Sequence, residues 1–183
     1  SFVGRYGFPK PSKNNIRFKK ELGGGILNDA GCYPICASRI IFKKEPIGVM
    51  CQSTLGKNGI DVRTTINLKY SDSQFAQMIT GYGLSYQSSY SLWGTKGFLQ
   101  LKRSYNIPTN MKPIISMNFS EKETNILIPS ANHFKLMIES FSKEILMKET
   151  CNFNFENDLL AQAKVMEACR LSSQKNKFID LKN

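Results

Sequence analysis

The sequence predicts an α+β fold in which helices pack on one face of a mostly antiparallel, open β-sheet. The first observation is the strict alternation of apolar and polar residues over residues 60–70, which is typical of a half-buried strand. The second is that short polar turns separate successive strand-like segments, which favours hairpins and antiparallel pairing. The third is that two segments near the end of the chain repeat apolar residues at helical spacing.

Length and composition indicate one compact domain. The chain has 183 residues, of which 41% are hydrophobic, enough for a single core. It has no apolar run of the roughly 20 residues that cross a bilayer and no signal pattern at its start, so we expect a soluble, cytoplasmic protein without a membrane partner. Five irregularly spaced cysteines and a single histidine predict neither a disulfide framework nor a metal site.

The net charge of +11, from 25 lysines and arginines against 14 acidic residues, would suit a polyanionic partner. The basic residues are scattered, mostly as singlets and pairs, and no nucleic-acid-binding motif accompanies them. We therefore expect no nucleic-acid partner. A ligand that carries phosphate groups would still benefit from the charge.

Two prolines interrupt residues 1–22, so we expect this basic segment to be an irregular lead-in that continues from a missing N-terminal domain. Residues 23–183 are expected to form the folded domain. Its first element is a helix ending near Phe42, predicted from an apolar series after the triple glycine. Gly31 and Pro34 should weaken or kink that helix, because proline lacks a backbone N–H and clashes with the preceding turn.

Strands and two further helices follow. The first of these helices should begin after Ser130 as its N-cap and place an apolar stripe against the sheet. The second should cover about residues 157–173. The strands are expected at residues 47–55, 60–70, 74–82, 88–93, 98–102, 114–119, 123–128 and 178–181. The stripe consists of Phe134, Met137, Ile138, Phe141 and Ile145.

The face of the sheet without helices must be solvated or used. A group of aromatic residues in one region predicts an apolar patch there, and hence a homodimer through the open sheet face. Trp93 could stack on a sugar ring, but we favour its packing in or at the sheet. Lys102, Arg103 and Tyr105 could help to bind a phosphorylated or nucleotide-linked ligand, but we favour a solvated loop for them. The aromatic group consists of Tyr82, Tyr86, Tyr90 and Trp93.

The most informative stretch is Gly-Gly-Gly-Ile-Leu-Asn-Asp-Ala-Gly-Cys-Tyr-Pro at residues 23–34. Asp29 and Tyr33 are four positions apart, so on a helix they lie on one face. A carboxylate beside a phenol can orient a hydroxylated substrate and move a proton. The phenol, with a pKa near 10, needs a cation to act as a base at neutral pH, and we find no obvious local one. Asp29 capping the helix and Tyr33 packing in the core is the alternative.

This stretch resembles the G-G-G-x-L-x-D-x-G-x-[HY] signature that opens the C-terminal domain of the Gfo/Idh/MocA oxidoreductases. The similarity extends from about residue 15 to residue 181 and keeps the family order of landmarks. It implies the open antiparallel sheet of that domain, which is similar to the C-terminal domain of glyceraldehyde-3-phosphate dehydrogenase. The other landmarks are Asn-Ile-Arg at 15–17, Gly-Ile-Asp at 59–61, Trp-Gly-Thr-Lys-Gly at 93–97 and Glu-Ala-Cys-Arg-Leu-Ser-Ser at 167–173.

The resemblance also implies an activity. Members of the family pass hydride between a sugar or cyclitol carbon and NAD or NADP, which an N-terminal Rossmann domain holds. Asp29 would bond substrate hydroxyls, and Tyr33 would be the general acid or base where most members carry histidine. A lysine in the Rossmann half would lower the tyrosine pKa, so the isolated chain should bind no cofactor and should not be a competent dehydrogenase. The residues that would face substrate or cofactor are Arg17, Gly24, Gly25 and Asn28.

The leading hypothesis is therefore the substrate-binding and oligomerisation domain of an NAD(P)-dependent oxidoreductase. Its substrate would be a sugar, a cyclitol or a nucleotide-linked sugar, and its partners would be the Rossmann domain and a second copy. The alternative is a non-catalytic binding or scaffolding module that retains the fold, for example in polysaccharide biosynthesis. A nucleic-acid-binding protein is a third hypothesis that rests on charge alone.

Overall fold

A computed structural model describes residues 1–120, 122–147 and 154–181, so parts of the predicted domain lie outside the described residues. The strands are β1 (Phe2–Phe8), β2 (Gly48–Leu55), β3 (Asp61–Lys69), β4 (Phe75–Tyr82), β5 (Gln87–Gly94), β6 (Gly97–Leu101), β7 (Ile114–Phe119), β8 (Lys122–Leu127) and β9 (Ile179–Asp180). The helices are α1 (Cys32–Phe42), α2 (His133–Met147) and α3 (Phe155–Lys175). The described strands form one sheet in the order β8-β7-β6-β5-β1-β4-β3-β2-β9.

The predicted fold class is confirmed. Every neighbouring pair in the sheet is antiparallel except β1 and β4, which run parallel. Each predicted strand is found with its bounds within one residue. In β4, for example, Ala76 and Met78 are buried between exposed neighbours, as a strand with one covered face requires.

The expectation of an irregular lead-in is wrong for residues 2–8. They form β1, which lies in the middle of the sheet between β4 and β5. Phe2 and Tyr6 point into the covered face and are buried. Gly4 lies between them, where a side chain would collide with Pro34, so α1 crosses close above this strand. The prolines begin only at Pro9, where the strand has ended.

The predicted kink takes the form of a π-turn at Leu27–Gly31 that runs directly into α1. In this turn the Cys32 backbone N–H donates to the Leu27 carbonyl. The wider turn accommodates Pro34, which has no N–H for the ladder and whose ring needs room beside the preceding turn.

Helices α1 and α3 cover the same face of the sheet. Ile35 of α1 and Val165 and Cys169 of α3 lie in one buried cluster with strand residues such as Ile66 and Met78. A polar network joins the two helices at their edge. The side chain of Arg39, only 3% exposed, pairs with Glu45 and Asp158 and donates to Gln162. This layer fixes the start of α1, which carries the predicted site.

The prediction that α2 lays its apolar stripe on the sheet is wrong. Phe134 is 65% exposed and Ile145 is 61% exposed, and the three other residues of the stripe are exposed to a similar extent. Helical spacing predicts that a helix has an apolar face but does not say what covers that face. The N-cap is also not Ser130: the Asn132 side chain accepts from the Lys135 backbone N–H at 3.1 Å.

The predicted aromatic patch on the open sheet face is also wrong as a group. Tyr82 is buried on the helix-bearing side, and Tyr90 stacks on Phe2 with ring centroids 5.4 Å apart. Tyr86 lies under the Arg103 guanidinium. Trp93, expected to pack, is 73% exposed. The four side chains therefore do not share one surface, because alternate positions of β5 face opposite sides of the sheet.

Candidate functional site

The centre of the candidate site is an ion pair between Arg17 and Asp29. Arg17 Nε donates to Asp29 Oδ2 at 2.6 Å, and the Tyr82 hydroxyl donates to the same oxygen at 3.3 Å. The side chains of Arg17 and Asp29 are 38% and 23% exposed, so the pair lies at the surface of the site rather than in the core. The hydrogen bond to Asp29 raises the pKa of Arg17. The structure thus brings together two of the predicted site residues.

Backbone contacts of the triple glycine hold Arg17 in place. Asn15 caps a short 3-10 turn at Ile16–Phe18, and its side chain accepts from the Arg17 backbone N–H. The Gly25 N–H donates to the Arg17 carbonyl, and a side chain at Gly24 would collide with that carbonyl. Gly24 and Gly25 therefore pack against the Arg17 segment, which is the close backbone approach that glycine permits.

A second carboxylate fixes the start of the π-turn. Asp61, at the beginning of β3, accepts from the Leu27 backbone N–H at 2.7 Å. Burial raises the Asp61 pKa, and the hydrogen bond from Leu27 opposes this effect. Gly25 has φ 120°, and a side chain there would collide with the Asp61 carboxylate. This anchor sets the position of the turn that carries Asp29.

Tyr33 lies at the beginning of α1 and is 44% exposed. Its ring contacts Tyr6 edge-on, with centroids 5.3 Å apart, and the Tyr105 ring lies 6.3 Å away. Burial raises the Tyr33 pKa, the charge of Asp29 adds to this effect, and the charge of Arg17 opposes it. The expectation of no nearby cation is wrong, because Arg17 folds back to this point from outside the motif. Tyr33 is therefore a protonated phenol at neutral pH.

The aromatic neighbours of Tyr33 were not identified from sequence. Tyr6 is buried, which raises its pKa to about 12, and Tyr82 and Tyr105 also have raised pKa values because of burial. Tyr105, expected in a solvated loop, instead has a buried hydroxyl that finds no partner among the described residues. The alternation of Phe2, Tyr6 and Phe8 in β1 is the signal that could have placed Tyr6 beneath the site.

Five of the predicted residues line a small cavity of about 170 Å³, whereas Tyr33 lies outside it. Across the triple glycine, a larger groove of about 400 Å³ extends to α3. Asn28 lines both, donating to the Gly23 carbonyl and accepting from Arg170. The side chain of Asn28 is thus engaged with the protein. The predicted residues that line the small cavity are Arg17, Gly24, Gly25, Asn28 and Asp29.

The described residues contain neither a metal cluster nor a membrane-spanning helix. Within residues 1–120, 122–147 and 154–181, no three metal-ligating side chains of His, Cys, Asp or Glu lie together. In the same ranges, no helix combines the length and hydropathy that a membrane-spanning segment requires. Cys32, Cys36, Cys51 and Cys169 are free thiols, and Cys151 lies outside the described residues.

Fold and site together define a class: a helix-covered, mostly antiparallel sheet that presents a tyrosine beside an arginine–aspartate pair. Residues 1–100 match the family model described as the GFO/IDH/MocA C-terminal domain. The chain belongs to this family. The resemblance noted for the triple-glycine signature is confirmed.

The curated relatives are oxidoreductases, several of them named for nucleotide-linked sugars. The chain is 27% identical over 146 residues to a dTDP-3,4-didehydro-2,6-dideoxy-alpha-D-glucose 3-reductase of Saccharopolyspora spinosa, covering 79% of this chain and 44% of that protein. It is 30% identical over 118 residues to a trans-1,2-dihydrobenzene-1,2-diol dehydrogenase of Xenopus tropicalis, covering 56% and 35%. The chain thus spans about half the length, or less, of the relatives that it matches.

Solved structures share the fold. A 3-ketoreductase of Actinomadura kijaniata, determined in complex with NADP and TDP-benzene, superposes with a TM-score of 0.86 at 24% identity and covers 93% of this chain and 53% of the ketoreductase. An aldose-aldose oxidoreductase of Caulobacter crescentus also gives a TM-score of 0.86, at 19% identity, with 98% and 55% covered. At these identities the likeness establishes the architecture alone.

Proposed function

We propose that this chain is the substrate-binding half of an NAD(P)-dependent oxidoreductase that acts on a sugar, most specifically a sugar linked to a nucleotide. The observation that carries the proposal is the exposed phenol of Tyr33 beside the Arg17–Asp29 pair, on a domain of this family. Three further observations support the substrate class. Relatives reduce dTDP-linked sugars, a structural neighbour was determined with NADP and TDP-benzene, and the net charge of +11 favours a ligand with phosphate groups.

Tyr33 is the proposed proton donor and acceptor. Because its pKa is raised, Tyr33 keeps its proton at neutral pH and is ready to donate it to a carbonyl oxygen as hydride arrives. This state suits reduction of a keto sugar. In the oxidative direction the same phenol must lose its proton, which requires a second cation besides Arg17 near its oxygen.

The Arg17–Asp29 pair is the proposed substrate clamp. Among the described residues, the hydrogen bonds to the Asp29 carboxylate both reach Oδ2, so Oδ1 is available to accept from a sugar hydroxyl. Arg17 donates from Nε to Asp29 and from Nη1 to Asn15, and its remaining N–H groups can donate to a substrate oxygen or phosphate. Gly24 and Gly25 serve by holding Arg17, and Asn28 helps to shape the cavity.

The hydride must come from NAD or NADP, which we place on a nucleotide-binding half of the Rossmann type. When bound, the cofactor supplies or accepts the hydride at the substrate carbon. The residues of this chain that would face it are those at the mouth of the small cavity, with Arg17 foremost. Their task is to orient the sugar and to move one proton at the Tyr33 oxygen.

A homodimer through the open sheet face is part of the proposal. With the aromatic group dispersed, it rests on three apolar side chains: Phe75 at 41% exposure, Ile79 at 51% and Trp93 at 73%. Light scattering should give twice the protomer mass, and Ile79→Asp should reduce it to one protomer. A single protomer for the wild-type protein at high micromolar concentration would contradict the dimer.

The activity is tested with the polypeptide that carries both halves, a dTDP-linked keto sugar and NADPH. Tyr33→Phe should lower hydride transfer by about 10²- to 10⁴-fold, the usual contribution of a positioned acid, while the NADP dissociation constant changes less than about twofold. Tyr90→Phe is a matched control, since Tyr90 stacks on Phe2 away from the pair. Unchanged turnover in Tyr33→Phe would contradict the assignment. Tight sugar binding without any hydride transfer in the wild type would favour a non-catalytic binding module.

A further inference from the structure

The apolar stripe of α2 is the largest unpaired feature of the described helices. Its five residues follow the spacing i, i+3, i+4, i+7 and i+11, and they are 49–65% exposed. The rest of the helix is mostly polar, with Leu136 (55%) and Leu146 (80%) exposed as well, and it carries an ion pair between Lys135 and Glu139. The stripe, which we call the α2 surface, consists of Phe134, Met137, Ile138, Phe141 and Ile145.

The size of the α2 surface is that of a buried interface. Five large side chains at this exposure present roughly 500 Å² of apolar area, as much as the largest patch of a typical monomer. Interfaces between domains of one protein begin at about 600 Å². The α2 surface reaches this size together with its continuation on α3. The Phe141 and Phe155 rings are in contact, and Leu159 and Leu160 are both 69% exposed.

The α2 surface lies next to the candidate site. Tyr105 lies beside Tyr33, and the next residue, Asn106, is close enough to the Tyr6 hydroxyl to lower its pKa slightly against the larger effect of burial. One residue further, the Ile107 carbonyl lies 2.8 Å from His133 Nε2, at the first residue of α2. The segment 105–107 thus connects the aromatic neighbours of Tyr33 directly to the start of the exposed stripe. A partner seated on α2 would reach the mouth of the site.

We propose that the α2 surface is the docking face for the nucleotide-binding half, an inference that rests on the proposed function. Two observations select this occupant. The relatives are about twice as long as the matched segment, so a body of similar size accompanies this domain in them. Whatever brings hydride to Tyr33 must also sit beside it, and the α2 surface is the apolar area that adjoins Tyr33 through residues 105–107.

A second copy of the chain fits the α2 surface less well. A second copy on α2 would crowd the mouth of the site that the cofactor must reach. The open sheet face, on the other side of the sheet from α1 and α3, leaves that mouth free.

The test compares Ile138→Asp with Ser140→Asp in the polypeptide that carries both halves. Both positions are exposed, and they lie on opposite sides of α2, so the two variants add the same charge to the same helix. Ile138→Asp should increase the radius of gyration in small-angle X-ray scattering and lower hydride transfer at least tenfold, while the NADP dissociation constant changes less than about twofold. Ser140→Asp should match the wild type in all three.

Other outcomes separate this inference from the proposed function. If no sugar is reduced but Ile138→Asp still separates the halves, the activity is wrong and the docking face stands. If both variants stay as compact and as active as the wild type, the docking face is wrong. A fall in mass to one protomer, with unchanged shape of each protomer, would assign α2 to a second copy and overturn the inference.

A measurement on the wild-type protein tests the inference without a substitution that could disturb folding. Hydroxyl-radical footprinting should show Met137 protected, although it is 58% exposed here. Met111, 37% exposed in the loop before β7, is the internal control and should be oxidised. Oxidation of Met137 at a rate equal to or above that of Met111 would overturn the inference.

Discussion

Gly25→Ala should destabilise the protein far more than Gly23→Ala, although the two glycines are two positions apart. Gly25 has φ 120°, where an L side chain costs about 1–2 kcal/mol. The new methyl group would also displace the Asp61 carboxylate and break its bond to the Leu27 N–H, a charged hydrogen bond of about 1.5–3 kcal/mol. The expected cost is therefore about 3–5 kcal/mol.

The loss of stability can be measured as a lower Tm in thermal unfolding. In a protein of this length, 1 kcal/mol corresponds to roughly 2–4 °C in Tm, so Gly25→Ala should lower Tm by about 6–20 °C. Gly23 has φ 73° but nothing within 4 Å of a new methyl group, so Gly23→Ala should cost only the backbone strain, about 1 kcal/mol. Circular dichroism on both variants gives the comparison.

A double-mutant cycle isolates the contact with Asp61. In an Asp61→Ala background the Leu27 bond is already lost, so Gly25→Ala should add only the strain. Equal Tm losses for Gly23→Ala and Gly25→Ala, or full additivity in the cycle, would refute the reasoning that Asp61 occupies the space beside Gly25. The position of the π-turn would then not depend on the hydrogen bond between Asp61 and Leu27.

Three further predictions concern stability. Arg39→Met should cost about 1–3 kcal/mol in urea unfolding, because it removes the charged hydrogen bonds to Glu45 and Asp158, whose carboxylates are partly exposed, and Arg5→Met, on an exposed side chain, is the control. Burial raises the pKa of Tyr6 to about 12, so the folded protein loses stability as pH rises from about 10, where an exposed tyrosine ionises, to about 12. Tyr6→Phe should therefore lose less stability over this pH range than the wild type. An equal loss in both proteins would contradict the assignment. Asn132→Ala should cost about 1 kcal/mol as an N-cap, measured by thermal unfolding, whereas an equal cost for Ser130→Ala would mean that the cap is misassigned.

The sequence predicted β3 and β4 well because each has one covered face, which leaves period-two alternation in the residues. β7 and β8, which have no buried residues, were predicted from the polar turn between them. β1 was missed because glycines at positions 4 and 7 interrupt its apolar pattern and two prolines follow it. The stripe on α2 was recognised, but its partner was assigned to the sheet. Periodicity reports that a face is apolar, and only the tertiary structure reports whether the domain itself covers it.

For the candidate site, Asp29 and Tyr33 could be predicted as a pair from their spacing, because the π-turn that carries Asp29 runs directly into α1. The neighbours that set their chemistry come from distant positions: Arg17 lies 12 residues before Asp29, and Tyr82 lies 53 residues after it. Such pairs depend on the sheet register and on a turn held by Gly25. Local spacing cannot show them.

The central claim is that Tyr33 exchanges a proton with the reacting oxygen of a sugar while Asp29 holds a neighbouring hydroxyl. The most direct measurement is a crystal structure of the polypeptide that carries both halves, bound to NADP and a dTDP-linked sugar. It should place the Tyr33 phenol oxygen about 2.6–3.2 Å from the reacting oxygen, the reach of a proton-transferring hydrogen bond, with Asp29 Oδ1 bonded to the sugar. A sugar ring seated instead in the groove beside Arg170, with its reacting carbon out of reach of Tyr33, would contradict the account.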